Sequence, residues 1–458
     1  MNLTGVDVVV VGAGAAGMSG AVALAALGLQ VVLLDEQGSP GGQIYRGITL
    51  APLSRRDLLG ADYAQGNSLA QALEASSVRY EKGAAVWQVT RDHQVSYLRD
   101  GHLFTLQAKA VLLATGAMER PFPVPGWTLP GVMSAGAAQI LLKSAGLAPS
   151  EPVVLAGCGP LLYLLGWQYL RAGVPIKALV DTTRPDDYWR ARRHLFAALR
   201  AWPYLRKGLD LMRSLRGANI KHYTGAQSLA IEGEDAACAL TFTASGSAHR
   251  IDTRCVLLHQ GVVPNIQFSQ SLRAGHRWDI DQLCFSPVVD GWGQLDTPGI
   301  FVAGDGAGIG GAQAAAVQGR LSALGIARQL GSLSDAQRDE RAAPLRTTLE
   351  HNLRIRPFLD ALYQPKQENR IPADDVMVCR CEEVTAGELR KFVELGCTGP
   401  NQAKSFGRCG MGPCQGRMCG LTVTEVIAEA RGVSAQEVGY YRIRPPIKPI
   451  TLGELAGE

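Results

Sequence analysis

The chain has 458 residues, 47% of them hydrophobic and 19% charged, which excludes a disordered protein and suffices for roughly two to four domains with buried cores. The 45 Lys and Arg residues nearly balance the 41 Asp and Glu residues, which gives a net charge of +4. The sequence has no run of like charge that would form a basic stripe for nucleic acid.

Residues 8–34 carry no charged side chain, and this length would suit a membrane span or a signal segment. However, no basic segment precedes the run, and glycines interrupt it at positions 12, 14, 17, 20 and 28. We therefore predict a strand, a turn, a helix and a second strand here, in a cytoplasmic chain with no transmembrane segment.

The first strand and turn have the pattern of a dinucleotide site. Val6–Val11 is an apolar run typical of a buried parallel strand, and it leads into a Gly-rich turn and an Ala-rich helix. Gly12 permits the tight turn, Gly14 lets a pyrophosphate approach the backbone, and Gly17 lets the helix pack on the strand. The N-terminus of the helix would face the phosphates.

A second strand, residues 31–34, ends in two carboxylates. Asp35 and Glu36 both lie at the spacing expected for a ribose hydroxyl contact, and Asp35 is the better aligned. A tight packing turn without a ligand is the alternative explanation of the whole motif.

Three later motifs favour FAD over NAD as the dinucleotide. Pro40-Gly41-Gly42-Gln43 resembles the loop that thioredoxin-reductase-like flavoproteins place along the flavin. Ala114-Thr115-Gly116 resembles the crossover of that family, and Thr297–Gly306 resembles its second FAD motif, in which an aspartate, here Asp305, binds the ribityl chain. The predicted FAD contacts are Gly12, Gly14, Ala15, Ala16, Gly17, Asp35, Glu36, Gly41, Gly42, Gln43, Val86, Ala114, Thr115, Gly116, Gly304, Asp305, Ala312 and Gln313.

The middle of the chain repeats the layout with one departure. The strand at residues 153–156 precedes Gly157-Cys158-Gly159-Pro160-Leu161-Leu162, and a second strand, residues 176–180, ends in Asp181. Leu162 stands where the third glycine is expected, and its side chain would alter the phosphate turn. We therefore expect an inserted nucleotide-fold domain without a working NAD(P) site.

A stretch between Arg184 and Arg216 carries nine Lys and Arg residues and several aromatic residues. It predicts either a solvated amphipathic helix pair or a surface for a partner. The isolated Cys158, Cys238, Cys255 and Cys284 are interpreted as inert core residues, and no C-x-x-C redox pair occurs in either nucleotide-fold region.

Six cysteines, at 379, 381, 397, 409, 414 and 419, crowd into the C-terminal region. Cys379-Arg-Cys381 is followed by a helical pattern and then by a Gly-rich stretch that contains Cys409, Cys414 and Cys419. Thiolates on such loops suit zinc or an iron–sulfur cluster, because the loops leave backbone N–H groups free to bond the sulfurs.

The pattern resembles the bacterioferritin-associated-ferredoxin-like module, and this resemblance makes Cys379, Cys381, Cys414 and Cys419 the ligands of a 2Fe-2S cluster. The last pair is wider than the usual C-x-x-C, so Cys409 is the reserve ligand. A structural zinc site is the alternative. Cys397 is expected in the core, and arginines 380, 408 and 417 are expected to stabilise the negative cluster.

From about residue 5 to 450, the chain resembles the larger nucleotide-binding subunit of heteromeric dye-linked dehydrogenases, such as opine oxidases, proline and hydroxyproline dehydrogenases and hydrogen cyanide synthase. In that family a glycine-oxidase-like FAD subunit oxidises the C–N bond of an amino acid, imino acid or opine. The resemblance implies that this chain relays electrons through FAD and a 2Fe-2S cluster toward a quinone or a dye. It also allows a peripheral position at the inner membrane through the complex, and a small ferredoxin-like subunit.

Two other functions stay open at this stage. One is a self-sufficient NAD(P)H-dependent reductase, against which Leu162 argues, and the other is a flavin-bearing assembly scaffold. No carboxylate clamp or apolar cage for an amine substrate can be identified in the sequence.

The predicted fold class is α/β: a two-dinucleotide-binding-domain flavoprotein, similar to glutathione and thioredoxin reductases, with a small C-terminal Cys-rich helical iron–sulfur module. The predicted boundaries are an FAD domain at 1–150 and 266–331, an inserted domain at 151–265, a linker at 332–372, and the module with its tail at 373–458.

Overall fold

The computed structural model of the protein describes residues 4–456, so residues 1–3 and 457–458 of the predicted first and last domains lie outside it. The charge-free run forms a strand, a helix and a second strand, as predicted. Across residues 4–456, no helix is both long enough and apolar enough to cross a bilayer.

The first part of the FAD-type domain contains seven strands and four helices. In chain order they are β1 Thr4–Val11, α1 Ala15–Ala26, β2 Val31–Asp35, α2 Leu53–Leu59, α3 Ala61–Ala64, α4 Gly66–Glu74, β3 Arg79–Lys82, β4 Ala85–Val89, β5 Gln94–Arg99, β6 His102–Leu113 and β7 Ala117–Glu119.

The inserted domain follows, and it begins before the predicted boundary at residue 151, because Val132–Ser134 pair with residues 256–258 of its sheet. It comprises β8 Val132–Ser134, α5 Ala135–Ala145, β9 Val153–Cys158, α6 Pro160–Arg171, β10 Ile176–Asp181, α7 Pro185–Ala191, α8 Leu195–Arg200, α9 Trp202–Gly217, β11 Lys221–Tyr223, β12 Gln227–Glu232, β13 Ala239–Ala244, β14 Ser247–Asp252 and β15 Cys255–Gln260. The basic, aromatic stretch is therefore helical.

The chain then returns to the first domain and continues into the C-terminal region. The remaining elements are β16 Val262–Pro264, α10 Gln267–Ser271, β17 His276–Asp279, β18 Cys284–Pro287, β19 Ile300–Val302, α11 Ala312–Gln329, α12 Asp335–Leu353, α13 Arg356–Leu362, β20 Met377–Cys379, β21 Val384–Thr385, α14 Ala386–Glu394, α15 Pro400–Gly407, α16 Gly420–Arg431, α17 Ala435–Val438 and α18 Leu452–Ala456.

The first domain is built on a seven-stranded sheet in the order β3-β2-β1-β6-β5-β4, with β19 also pairing with β6. β1 runs parallel to β2 and β6, and β19 runs parallel to β6, so the carboxyl ends of these four strands meet at one edge. Val8, Val9 and Val10 are fully buried, as expected for a strand covered on both faces. This edge carries the Gly-rich turn and the motif that contains Asp305.

Helix α11 packs along α1 because small residues let the two backbones approach. A Cβ atom on Gly319 would lie 2.1 Å from the Ala16 carbonyl oxygen, and one on Gly20 would lie 3.0 Å from the Gly319 carbonyl oxygen. The crossing brings the N-terminus of α11 toward the same sheet edge as that of α1.

The inserted domain has a five-stranded parallel sheet in the order β11-β10-β9-β15-β8 and a three-stranded antiparallel sheet of β12, β13 and β14. It repeats the strand, turn and helix of the first domain at residues 153–171, as the sequence predicts.

The segment predicted as a linker, residues 332–372, is largely helical. Ser334 and Gln337 form a capping box that starts α12, and Leu345 and Leu349 pack on the buried face of α11. The high charge of this segment reflects a solvent-facing helix surface rather than a flexible connection.

Candidate cofactor sites

The dinucleotide turn is held by backbone contacts among three strand ends. Gly12 donates to the Leu34 carbonyl at 2.7 Å, and Ala114 donates to the Val11 carbonyl at 2.8 Å. Gly12 has φ +103°, and a Cβ there would lie 2.5 Å from the Ala114 carbonyl oxygen, while one on Gly17 would lie 1.8 Å from the Gly12 carbonyl oxygen. Protein packing alone therefore requires glycine at positions 12 and 17.

Gly14 differs from these two glycines. Its φ is −78°, and a Cβ there would meet only the Cα of Gly42, at an ordinary 3.8 Å. The protein leaves open space above Gly14, at the N-terminus of the 12-residue helix α1, where Ala15 and Ala16 form the first turn. We call this open space above Gly14, at the N-terminus of α1, the cradle. It fits a pyrophosphate, whose charge the helix N-terminus would stabilise.

The two carboxylates after β2 have different surroundings. Asp35 is 7% exposed and accepts hydrogen bonds from the backbone N–H groups of Ala13, at 2.5 Å, and Gln37, at 2.7 Å. Burial raises the pKa of Asp35. Glu36 is exposed and pairs with Lys448. Asp35 thus fixes the turn, and Glu36 extends toward solvent beside it.

The Gly41-Gly42-Gln43 loop lies against the turn. Gly41 donates to the Ala13 carbonyl at 2.8 Å, and a Cβ on Gly42 would lie 2.8 Å from the Gly14 Cα. Lys143, which no sequence motif indicates, is 5% exposed and donates to the Gln43 carbonyl at 3.2 Å and to Gln139 Oε1 at 2.7 Å. Burial lowers the pKa of Lys143 to about 7.

Asp305 lies at the opposite wall of the cradle. Its Oδ1 accepts from the N–H groups of Gly310 and Gly311, both at 2.9 Å, directly before α11. Gly304 has φ +76°, and a Cβ there would lie 2.8 Å from the Ala16 side chain. The predicted contacts Ala312 and Gln313 form the first turn of α11.

The crossover residues face the return from the inserted domain. Thr115 Oγ1 donates to the Asn265 carbonyl at 3.2 Å, and Asn265 N donates to the Gly116 carbonyl at 2.9 Å. Within residues 4–456, the buried Asn265 Oδ1 has no hydrogen-bond donor, which fits a site that awaits a donor from a ligand. Val86 is buried on β4, opposite Tyr97.

The second Gly-rich turn is closed by the protein itself. Leu162 is fully buried at the start of α6, and the Cys158 thiol faces the Tyr363 carbonyl at 3.4 Å. The Tyr363 ring centroid is 6.5 Å from that of Tyr163. Tyr363 follows α13, so the segment predicted as a linker lies over the turn.

The carboxylate that would hold a ribose in this domain is already bonded. Asp181 is 1% exposed, accepts from the Tyr163 hydroxyl, and accepts from the Thr183 N–H at 2.8 Å. Burial, and after it the charge of the nearby Asp181, raise the pKa of Tyr363. Lys366 and Asp187 pair nearby and hold the covering segment in place.

The C-terminal cysteines form one connected group. The sulfurs of Cys379, Cys409 and Cys419 all lie within 4.8 Å of one another, and all three residues are buried. Cys414 contacts both Cys419 and Cys381, and Cys381 is exposed. The predicted set and the reserve ligand are thus neighbours, and the choice of four among the five stays a prediction.

The electrostatics of this group suit a positive metal centre. Hydrogen bonds from Cys409 and Cys419 lower the pKa of Cys379 to about 2, and the N–H groups of Gly410 and Glu382 also point at its sulfur. A hydrogen bond from Cys419 lowers the pKa of Cys414 to about 5. Neighbouring thiolates repel one another unless a metal compensates them, so the donor set fits zinc or an iron–sulfur cluster.

The three arginines expected beside the cluster have other partners. Arg380 lies over the Trp127 ring, Arg408 pairs with Glu382 at 2.9 Å, and Arg417 donates to the Ile447 carbonyl at 2.6 Å. Lys404 on α15, which no sequence motif indicates, is a further cation near Cys409 and Cys419.

Of the five cysteines outside this group, four are buried, as predicted, and one is exposed. Cys397 is 1% exposed, and its thiol faces the Gly399 carbonyl. Cys158, Cys255 and Cys284 are buried, and burial raises the thiol pKa of each. Cys238 is exposed, so its assignment to the core was wrong, because it lies at the turn before β13.

Two sequence families match the chain. The pyridine nucleotide-disulphide oxidoreductase family matches residues 6–319, and the sarcosine oxidase A3 domain family matches residues 375–458. An opine oxidase subunit from Rhizobium meliloti is 46% identical over 459 residues, which cover 98% of this chain and 87% of that protein. Hydrogen cyanide synthase subunit HcnB of Pseudomonas aeruginosa is 32% identical, with 96% of each chain covered.

Solved structures show the same fold. L-proline dehydrogenase from P. horikoshii is 21% identical and has a TM-score of 0.73 over 99% of this chain and 80% of that chain. Thioredoxin reductase from T. acidophilum has a TM-score of 0.51 at 20% identity over 71% of this chain and 99% of that chain. The predicted thioredoxin-reductase-like α/β fold is confirmed.

Proposed function

The chain belongs to the pyridine nucleotide-disulphide oxidoreductase family and, within it, to the family of these opine oxidase subunits. From this premise, we propose that it is the electron-transfer subunit of a heteromeric enzyme. That enzyme would oxidise the C–N bond of an amino acid, imino acid or opine. The chain is an oxidoreductase by family, and its relatives are named as subunits of larger proteins.

The observation that carries this proposal is a difference between the two Gly-rich turns. The turn of the first domain is open to a dinucleotide, and the turn of the inserted domain is covered by the protein. A Cβ on Gly14 would meet only Gly42, whereas Tyr363 lies against the second turn and Asp181 there is already bonded to Tyr163. Electrons that enter this chain should therefore come from another subunit rather than from NAD(P)H.

We assign FAD to the open cradle and a 2Fe-2S cluster to the cysteine group. Bound together, FAD would supply a two-electron carrier and the cluster a one-electron carrier, a combination that suits transfer to a one-electron acceptor. Zinc fits the same thiolates but has no accessible redox change. The predicted ligands of the cluster are Cys379, Cys381, Cys414 and Cys419, with Cys409 in reserve.

The residues around the cradle would hold and orient the flavin. Asp305 is kept in place by Gly310 and Gly311 and would accept from a ribityl hydroxyl, and Asn265 Oδ1 offers a further buried acceptor. Lys143 holds the Gln43 carbonyl and brings a donor into the flavin loop.

The partner proposed for this chain is a glycine-oxidase-like FAD subunit, with a quinone or a dye as eventual acceptor. The test is purification of the chain from its native host with a C-terminal tag on the full-length protein. We expect a second flavoprotein to co-purify and the preparation to reduce a dye with proline, hydroxyproline or an opine. Dye reduction by the isolated chain at the same rate would contradict the division of labour.

A separate prediction concerns nicotinamide. Mixing the flavin-loaded protein anaerobically with NADH or NADPH should give no rapid bleaching of the flavin in stopped flow, because Tyr363 lies against the second turn and Leu162 replaces its third glycine. Fast reduction at micromolar nucleotide would instead support a self-sufficient NAD(P)H-dependent reductase.

A further inference from the structure

The cysteine group contains a tyrosine whose hydroxyl lies among the sulfurs. Tyr441 is fully buried, and its Oη lies 3.9 Å from the Sγ of Cys419. The same hydroxyl also faces Cys409. A cysteine sulfur that ligates a metal carries no proton, so in the loaded module the phenol must be the donor.

The loop that carries the cysteines provides the space for this ring. A Cβ on Gly410 would lie 2.4 Å from Cζ of Tyr441, and one on Gly416 would lie 2.6 Å from its Cδ2. Both glycines have positive φ, +82° and +76°, and both lie between Cys409 and Cys419. The ring is thus seated by the loop itself, which fixes the direction of the hydroxyl.

A cation lies on the face of the same ring. The ammonium of Lys404 is 4.7 Å from the ring centroid of Tyr441, and its charge acts on both Cys409 and Cys419. A cation over a phenol makes the O–H a stronger donor, and it also offsets negative charge on the nearby sulfurs.

We propose that Tyr441 is a positioning residue that raises the reduction potential of the iron–sulfur cluster by donating a hydrogen bond to a ligand sulfur, with Lys404 behind its ring. This inference rests on the cluster of the proposed function. It holds for either choice of the fourth ligand, because the hydroxyl faces both Cys419 and Cys409.

The effect follows from charge. Reduction adds one electron to the cluster, breaks no bond and leaves the proton on Tyr441. A hydrogen bond to a sulfur stabilises the more negative reduced state more than the oxidised state, which raises the potential.

The test compares two neighbouring tyrosines in the full-length, cluster-loaded chain. Tyr441→Phe keeps the ring in its seat and removes only the hydroxyl, so iron and sulfide contents should be unchanged while the midpoint potential shifts to more negative values. Tyr440→Phe is the matched control, because the Tyr440 hydroxyl donates to the Gly416 carbonyl at 3.4 Å rather than to a sulfur. Its potential should equal that of the wild type.

A second variant keeps the test decisive if the Tyr441→Phe protein fails to hold its cluster. Placing 3-fluorotyrosine at position 441 preserves the shape and makes the hydroxyl more acidic, so the potential should shift to more positive values. The role of Tyr441 would be overturned if the midpoint potential of the loaded protein were the same in both Tyr441 variants as in the wild type. An equal shift of the potential in Tyr440→Phe would overturn it as well. Wild-type protein without iron and sulfide would instead contradict the cluster itself.

Discussion

Replacing Cys379 by serine is expected to remove the metal from the C-terminal module, with iron falling to less than about a tenth of the wild-type content. The Cys379 sulfur lies within 4.8 Å of those of Cys409 and Cys419, and hydrogen bonds from these two residues lower the pKa of its thiol. Iron and acid-labile sulfide analysis of anaerobically prepared protein measures the effect.

Cys397→Ser is the matched control, because Cys397 is equally buried in the same module but bonds the Gly399 carbonyl instead of the other sulfurs. That variant should keep its iron. Retained iron in Cys379→Ser would contradict the assignment of the centre.

The same measurement selects the fourth ligand. We expect Cys419→Ser to lose iron and Cys409→Ser to retain it. The opposite result would replace Cys419 by Cys409 in the ligand set, which the positions of the two sulfurs permit.

Replacing Gly14 by valine is expected to lower the flavin content at least about tenfold without unfolding the protein. Within the chain, the new Cβ would meet only the Gly42 Cα, at an ordinary contact distance, so we expect the main conflict to be with a ligand pyrophosphate. Flavin absorbance per chain and the thermal unfolding midpoint are the two measurements.

Gly217→Val is the control, since a Cβ on Gly217 meets nothing within 4 Å and the residue is exposed at the C-terminal end of α9. It should retain its flavin. Equal flavin contents in the two variants would contradict the assignment of the cradle, and a large drop in the unfolding midpoint of Gly14→Val would point to a packing role for that glycine.

The dinucleotide cradle could be predicted from sequence because its determinants are local. Gly12, Gly14 and Gly17 act within one turn, and strand β1 is recognisable from its apolar run. The distant Asp305 was also found, because its own motif is continuous in the chain.

The residues that were missed act across long sequence separations. Tyr363 closes a turn more than two hundred positions before it, and Lys143 reaches Gln43 from 100 positions away. Neither side chain belongs to a motif, so only the packing of α13 and α5 reveals their roles. The ion pair of Arg408 with Glu382 is likewise a contact that spacing alone could not reveal.

The central claim is that this chain carries both a two-electron and a one-electron centre. The direct test is an anaerobic coulometric titration of the loaded, full-length protein, followed by visible absorbance and electron paramagnetic resonance. We expect uptake of about three electrons per chain, with bleaching of a flavin and a paramagnetic signal from a reduced cluster that contains iron and sulfide. Uptake of about two electrons, with one zinc and no sulfide per chain, would contradict the claim.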